Sequence, residues 1–253
     1  MDGTSDFVSI IMAAYNAEKT IELAICSVAM QTCPDWELIV INDCSTDRTA
    51  EIVSSLSELD SRIRLIQNQK NSGVSISRKT GMENANGNWI SILDSDDIWE
   101  ADKLEKELKF MKDTRAAFAY TAYEFGDENA KGTGRIVHPT DRLTYKKALS
   151  RTIIFTTTVM FDLEKIDKEE ILMKQVPSED TATWWRILRS GHIAYGLDEN
   201  LAVYRRPARS LSSNKMTAIK RIWNLYRNEE GLGVIKSAYC FAFWALRATL
   251  RRI

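Results

Sequence analysis

Residues 89–105 read WISILDSDDIWEADKLE, an apolar run that ends in three carboxylates, Asp94, Asp96 and Asp97. The run has the composition and length of a buried strand, which puts the carboxylates at its carboxyl end. Like charges a few ångströms apart repel, and burying them is costly unless something positive sits between them. A helix starting near Asp102 needs one carboxylate as a cap, and three on adjacent turn positions exceed that need. The cluster is therefore either a solvated turn or a cation site.

Upstream of this stretch the chain alternates strand and helix. VSIIMA (8–13) reads as a strand, and Asn16 is placed to cap a helix carrying Ile21, Ala24, Ile25 and Val28 on one face. WELIVI (36–41) follows as a strand, then the turn NDCSTD and a helix with Ala50, Ile52, Val53 and Leu56. RIRLIQ (62–67) is a third strand, and NSGVSISRKTGMENANG (71–87) reads as loop then helix. Nearly continuous apolar strands joined by short helices predict a mostly parallel, Rossmann-like α/β sheet flanked by helices. Ligands of such sheets bind beyond the carboxyl ends of the strands, where Asp43 and Asp94 fall. Downstream, AAFAYTAYEF (116–125) and RTIIFTTTVMF (151–161) read as strands. SEDTATWWRILRSG (178–191) reads as a helix, and so does the chain after YRRPARSLSSNK (204–215).

The 253 residues, 44% apolar and 27% charged, suit one large globular domain, alone or with an extension. The net charge of −1 conceals an asymmetry. From Tyr204 onward eleven Lys/Arg face two Glu, whereas the preceding residues carry 23 basic and 33 acidic side chains. A basic tail suggests an acidic partner or an anionic membrane surface. Cys26, Cys33, Cys44 and Cys240 show no metal-ligand spacing and suit a reducing compartment. The acidic opening MDGTSDF is unlike a signal peptide, so export is not expected. No apolar run approaches the ~20 residues that a membrane-crossing helix needs.

Each chemistry-bearing stretch has a bland reading beside a sharper one. For the acidic cluster, an EF-hand fails because Ile98 and Trp99 occupy the places of an oxygen ligand and the turn glycine. A phosphatase of the haloacid dehalogenase type opens its fold with the Asp-x-Asp strand, whereas three strands precede it here. A Mg²⁺ or Mn²⁺ ion bridging to phosphate oxygens fits better, since hard cations take one or two carboxylates plus substrate oxygens. VINDCSTD is an Asx-rich turn or a strand end whose Asp43 binds a nucleobase or ribose. NSGVSISR is a capped helix or an anion site in which Arg78 meets a diphosphate. Glu179 and Asp180 complement a helix dipole or do acid–base chemistry. Arg205, Arg206 and Arg209 form a solvated loop or a phosphate clamp. Trp184 and Trp185 belong to the core or stack on an acceptor ring.

Taken in order, AAYN, NDCSTD, NSGVSISR…ANGNWISILDSDD and ED…W…G resemble the family 2 glycosyltransferases of the GT-A fold, from about Val8 to Tyr204. The resemblance implies a nucleotide-diphospho-sugar donor, for which a UDP-sugar is expected, a divalent metal (Mn²⁺ or Mg²⁺) and inversion at the anomeric carbon. By position it implies that Ala14, Tyr15 and Glu18 line the nucleobase pocket and that Asp43 bonds the base. Arg78 would lie near the base or diphosphate, with Asp94 and Ser95 in the nucleotide-sugar site. Asp96 would be the principal metal ligand with Asp97 beside it, and Asp180 the general base with Glu179 as its alternate. It divides the chain into a nucleotide-sugar half (1–112), an acceptor half (113–209) and a helical basic extension (210–253). Two departures stand out: Cys44 replaces the usual glycine after the acidic pair, and Lys79 replaces the usual Asn after the arginine.

The tail VIKSAYCFAFWALRATLRRI (234–253) is either a helix packed on the domain or an interfacial helix on an anionic leaflet. It is similar to the ends of bacterial transferases that extend lipid-diphosphate-linked sugars for O-antigen or capsule. The acceptor implied is an undecaprenyl-diphosphate-linked saccharide, with Trp184, Trp185, Arg205, Arg206 and Arg209 facing it. The expected location is the cytoplasmic face of the cell membrane, held peripherally, with no nucleic-acid partner. Two rivals compete with this reading. A sugar-phosphate nucleotidyltransferase needs a Gly-rich basic loop after its first strand, and AAYNAEKT is not one. A non-catalytic carbohydrate-binding protein has no need of the acidic cluster together with Asp180.

Overall fold

A computed structural model describes residues 6–205 and 215–250. Strands β1 (Val8–Ala14), β2 (Trp36–Asn42), β3 (Ile63–Gln67) and β4 (Trp89–Ile92) pair in parallel in the order β3-β2-β1-β4. Successive side chains of a strand point to opposite faces, so the apolar runs feed two cores. Ile10, Met12, Leu38 and Val40 meet Ile21, Ala24 and Ile25 of α1 (Ile21–Ala29) and Val53 of α2 (Thr49–Leu59). Ile11, Ile39, Ile41, Ile90 and Ile92 share the other core with Met82 of α3 (Val74–Glu83). Helix α3 lies directly on the sheet: a Cβ at Gly81 would stand 2.5 Å from Ile41 and 2.6 Å from Ile11.

The second half changes strand direction. After β5 (Ile98–Trp99) and α4 (Lys103–Thr114) come β6 (Phe118–Gly126), β7 (Gly132–Val137), β8 (Arg142–Leu143) and the short α5 (Tyr145–Ala148). A 3₁₀ turn, Thr156–Thr158, leads into β9 (Val159–Asp162), followed by α6 (Lys168–Ile171), α7 (Glu179–Arg189) and β10 (Ala194–Arg205). β9 inserts antiparallel between β4 and β6, and β10 runs parallel to β6 with β5 antiparallel at its side. The sheet is parallel at one side and mixed at the other, and two pairings, β4 with β9 and β5 with β10, cross the 112/113 division.

Two local readings change, and one strand was not anticipated. Asn16 does not cap α1: it has a φ of 50°, and its Oδ1 accepts from Thr46 N at 2.8 Å, so it pins the turn after β2. Only the end of the 151–161 stretch is strand, because Thr156–Thr158 is a buried turn whose burial imitates one. β10 is hidden in sequence by Asp198-Glu199-Asn200, where the ladder shifts register between Leu197 and Asn200.

At the C-terminus, α8 (Lys215–Asn224), a π turn (Leu225–Glu229) and α9 (Val234–Leu250) cover the same core as α3 and α7. Ile222, Leu225, Tyr226 and Cys240 are buried there, and Trp185 stacks on Tyr226 with ring centroids 5.2 Å apart. The opposite side of α9 leaves Ile235 89%, Tyr239 64% and Leu246 56% exposed. One face of this helix packs on the domain, and the other is exposed and apolar.

Candidate active site

The acidic loop between β4 and β5 places its three carboxylates in different settings. Asp94 and Asp96 are half-buried, while Asp97 is fully buried. Asp97 Oδ2 accepts from Thr157 Oγ1 at 2.5 Å and its Oδ1 from Arg205 N at 3.0 Å. Burial, then the charges of Asp94 and Asp96, push the Asp97 carboxyl well above the usual carboxylate range. Asp97 is thus turned inward, tying the loop to β10 and the 3₁₀ turn, rather than standing beside Asp96 as a second ligand. Asp96 is pushed up to about 6, first by desolvation and then by Asp94.

Across the cleft stands the N-terminus of α7. Arg78, 5% exposed on α3, bridges the two sides: Nη2 donates to Asp94 Oδ1 at 2.5 Å and Nη1 to Glu179 Oε1 at 3.3 Å. Burial opposes the Arg78 charge, but Asp94 and Glu179 outweigh it, so the guanidinium is held cationic. Burial first, then the charge of Asp180, raise the Glu179 carboxyl, against the pull of Arg78. Glu179 is therefore engaged by the arginine. Asp180, whose Oδ1 accepts from Thr181 N at 2.6 Å, is half-buried in the wall of a cleft of about 350 Å³ that also includes Arg78, Asp94 and Glu179.

The other strand-end carboxylate organises the loop before α3. Asp43, 3% exposed, accepts from Asn68 Nδ2 at 2.7 Å, Ser72 N at 2.9 Å and Gly73 N at 2.8 Å. Burial alone would raise its carboxyl, and these donors outweigh that and hold it below the ordinary range. Gly73 has a φ of 88°, which glycine adopts without a steric penalty. Cys44 keeps a φ of 58°, so the backbone turn survives the loss of glycine there, at a cost of about 1–2 kcal/mol. Ala14 is buried beside Asp43, whose N donates to Ala14 O at 2.8 Å, and Tyr15 is exposed. Glu18 accepts from Arg48 N at 3.1 Å, and Ser95 O accepts from Thr20 Oγ1 at 2.9 Å. Lys79 points to the surface near Glu83 at 3.7 Å.

The expected acceptor residues are placed elsewhere. Trp184 and Trp185 are 3% and 1% exposed; Trp184 packs on Phe118 and Phe161, so neither offers a ring to a sugar. An amphipathic helix buries its apolar face, and both indoles lie on it. Arg205 is buried too: its Nε donates to Asp96 O at 2.7 Å and Nη1 to Glu128 O at 3.0 Å, which supports the acidic loop from beneath. Arg206 and Arg209 lie outside the described residues. The cleft that Asp180 lines is instead completed by Phe155, Arg221 and Trp244, the last fixed by donation from Nε1 to Thr152 Oγ1 at 3.0 Å. Arg221 and Trp244 carry no motif, and only the folding of the C-terminal helices onto the core brings them here.

An acidic strand-end loop facing a Glu-Asp pair, on a sheet parallel at one side and mixed at the other, is the architecture of a GT-A glycosyltransferase. A family model, glycosyl transferase family 2, matches residues 9–168, and the chain belongs to that family. It is 39% identical to the putative teichuronic acid biosynthesis glycosyltransferase TuaG of Bacillus subtilis, over 100% of both chains. It is 38% identical to the UDP-Glc:alpha-D-GlcNAc-diphosphoundecaprenol beta-1,3-glucosyltransferase WfgD of Escherichia coli, over 86% of this chain and 84% of that one. Among solved structures, S. aureus TarS 1-349 in complex with UDP-GlcNAc superposes with a TM-score of 0.71 at 20% identity, covering 94% of this chain and 70% of that one. The mannosyltransferase PcManGT of Pyrobaculum calidifontis, in complex with GDP-Man and Mn²⁺, gives 0.69 at 20% identity, over 89% and 64%.

Proposed function

We propose that this glycosyltransferase moves a sugar from a UDP-sugar to a hydroxyl of a saccharide carried on a polyprenyl diphosphate, with inversion. The observation that carries the reading is Arg78, which ties Asp94 of the acidic loop to Glu179 and so holds Asp180 in the same cleft as the donor side. Asp180 takes the proton of the acceptor hydroxyl as its oxygen bonds to the anomeric carbon, and the bond from that carbon to the UDP oxygen breaks on the opposite face. A single base suffices for this displacement, whereas double displacement asks for a second carboxylate as nucleophile. Asp43 holds the loop before α3 through Asn68, Ser72 and Gly73, and so sets the floor on which the base would rest. Tyr15, exposed beside Ala14, stands where it can cover the base, and Glu18 shapes the same turn through Arg48 N. Asp94 serves donor hydroxyls, with Ser95 beside it.

The residues fit a divalent ion. Among the described residues no group of three metal-ligating side chains exists. Asp96, a hard oxygen donor raised to about 6 by burial and by Asp94, suits an ion whose remaining ligands are phosphate oxygens. Mn²⁺ or Mg²⁺ would be held by Asp96, kept in place by Arg205 and Asp97 beneath, and would neutralise charge on the departing diphosphate. The names of the Escherichia coli relatives support the UDP donor and the diphosphoundecaprenol acceptor. No helix among the described residues is long and apolar enough to cross a membrane. The exposed apolar face of α9 supports peripheral contact with the inner face of the cell membrane, where such an acceptor is presented. The test is a screen of UDP-sugars for UDP release with N-acetylglucosamine α-diphosphate esterified to an alkyl chain as acceptor. Release that needs acceptor and Mn²⁺ or Mg²⁺, and stops in EDTA, is expected. Full activity in EDTA would remove the metal from the account, and release from none of the donors would remove the donor class.

A further inference from the structure

We infer that Arg221 of α8 is the contact for the acceptor's diphosphate; this deepens the acceptor reading above and rests on it. Thr217, Ala218, Arg221 and Ile222 of α8 line the cleft, a spacing that puts them on one helical face. Met216, Ile219 and Trp223, exposed by 63%, 39% and 36%, lie on the opposite side of the helix. Arg221 therefore shares a cleft with Asp180, on the side of α8 turned away from these exposed apolar residues. Of the two arginines in the cleft wall, Arg78 is consumed by Asp94 and Glu179, whereas Arg221 forms no ion pair or hydrogen bond with any described residue. A guanidinium that lines this cleft without a partner among the described residues has charge to give to an anionic ligand, and its planar fork suits phosphate oxygens. A ligand with a sugar hydroxyl at Asp180 and a diphosphate at Arg221 fits the cleft that both side chains line. The buried Arg205 cannot fill this role, since its guanidinium holds the acidic loop.

The donor also carries a diphosphate, and the experiment separates the two sources. KM and kcat are measured for wild type, Arg221→Gln and Arg221→Lys with two acceptors: the alkyl-diphosphate-linked N-acetylglucosamine and the octyl glycoside of the same sugar. UDP affinity is measured alongside by calorimetry. Arg221→Gln is expected to raise KM for the diphosphate acceptor about 10–100-fold, with kcat and the octyl glycoside little changed and Arg221→Lys partly restored. Equal losses on both acceptors, unchanged KM on both, or a weakened UDP affinity would overturn the inference. If wild type transfers to neither acceptor, the acceptor reading fails by itself. Dodecyl diphosphate binding then decides the anion site: weaker binding by Arg221→Gln supports it, and equal binding sinks it.

Discussion

Asp180 and Glu179 are neighbours in sequence with different surroundings, and the roles we propose for them rest on that difference. Glu179 is engaged by Arg78, whereas Asp180 lines the cleft with only a local backbone bond among the described residues. Asp180→Asn keeps the shape and cannot take a proton, so turnover should fall by ~10²–10⁴ with UDP affinity near normal. Glu179→Gln should lose less, because Arg78 keeps Asp94 as a partner. Single-turnover transfer with calorimetric UDP binding checks both, and a dead Glu179→Gln beside an active Asp180→Asn would reverse the roles. At this scale the carboxylates were legible in sequence because charge at the end of an apolar strand is anomalous. The direction each one faces was not, as inward-turned Asp97 shows. Nor were Trp184 and Trp185, since a sequence pattern locates a helix's apolar face without saying whether core or cleft lies against it.

Between elements, Glu37 of β2 does for the far end of the sheet what Asp43 does for the near end. It is 4% exposed and accepts from Ser9 Oγ at 2.6 Å, Asn86 N at 2.8 Å and Arg64 Nη1 at 2.6 Å, tying β1 and β3 to the turn before β4. Burial alone would raise its carboxyl, and these donors outweigh that and lower it. A lowered folded-state pKa contributes stability above the unfolded value, lost as pH falls through the folded one. Glu37→Gln should therefore be less stable at pH 7 by about 1–3 kcal/mol, with the gap from wild type closing below about pH 4. Denaturant unfolding across that range checks it, and a gap constant with pH would contradict the ionic role. Elements were legible where strands are buried on both faces, as β1, β2 and β4 are. They were obscured where β10 carries Asp198-Glu199-Asn200 and a register shift, because a ladder tolerates a polar interruption that periodicity does not.

For the whole molecule, the C-terminal helices both complete the cleft and present an apolar surface. Removing α9 would strip Cys240, Phe241 and Trp244 from the core, so deletion cannot separate the two roles. Changing Ile235, Tyr239 and Leu246 together to Ser should lower binding to anionic phospholipid vesicles by about tenfold or more, since each loses apolar area that would enter lipid. Its thermal unfolding should be nearly unchanged because these side chains are exposed. Co-sedimentation at low and high salt measures it, and unaltered vesicle binding would place the membrane contact elsewhere. The central claim is a displacement in which Asp180 is the only base and no covalent sugar–enzyme species forms. The anomeric configuration of the transferred sugar, read by proton NMR of the product, tests it most directly. From a donor α-linked to UDP the product should carry a β linkage; an α-linked product would contradict it.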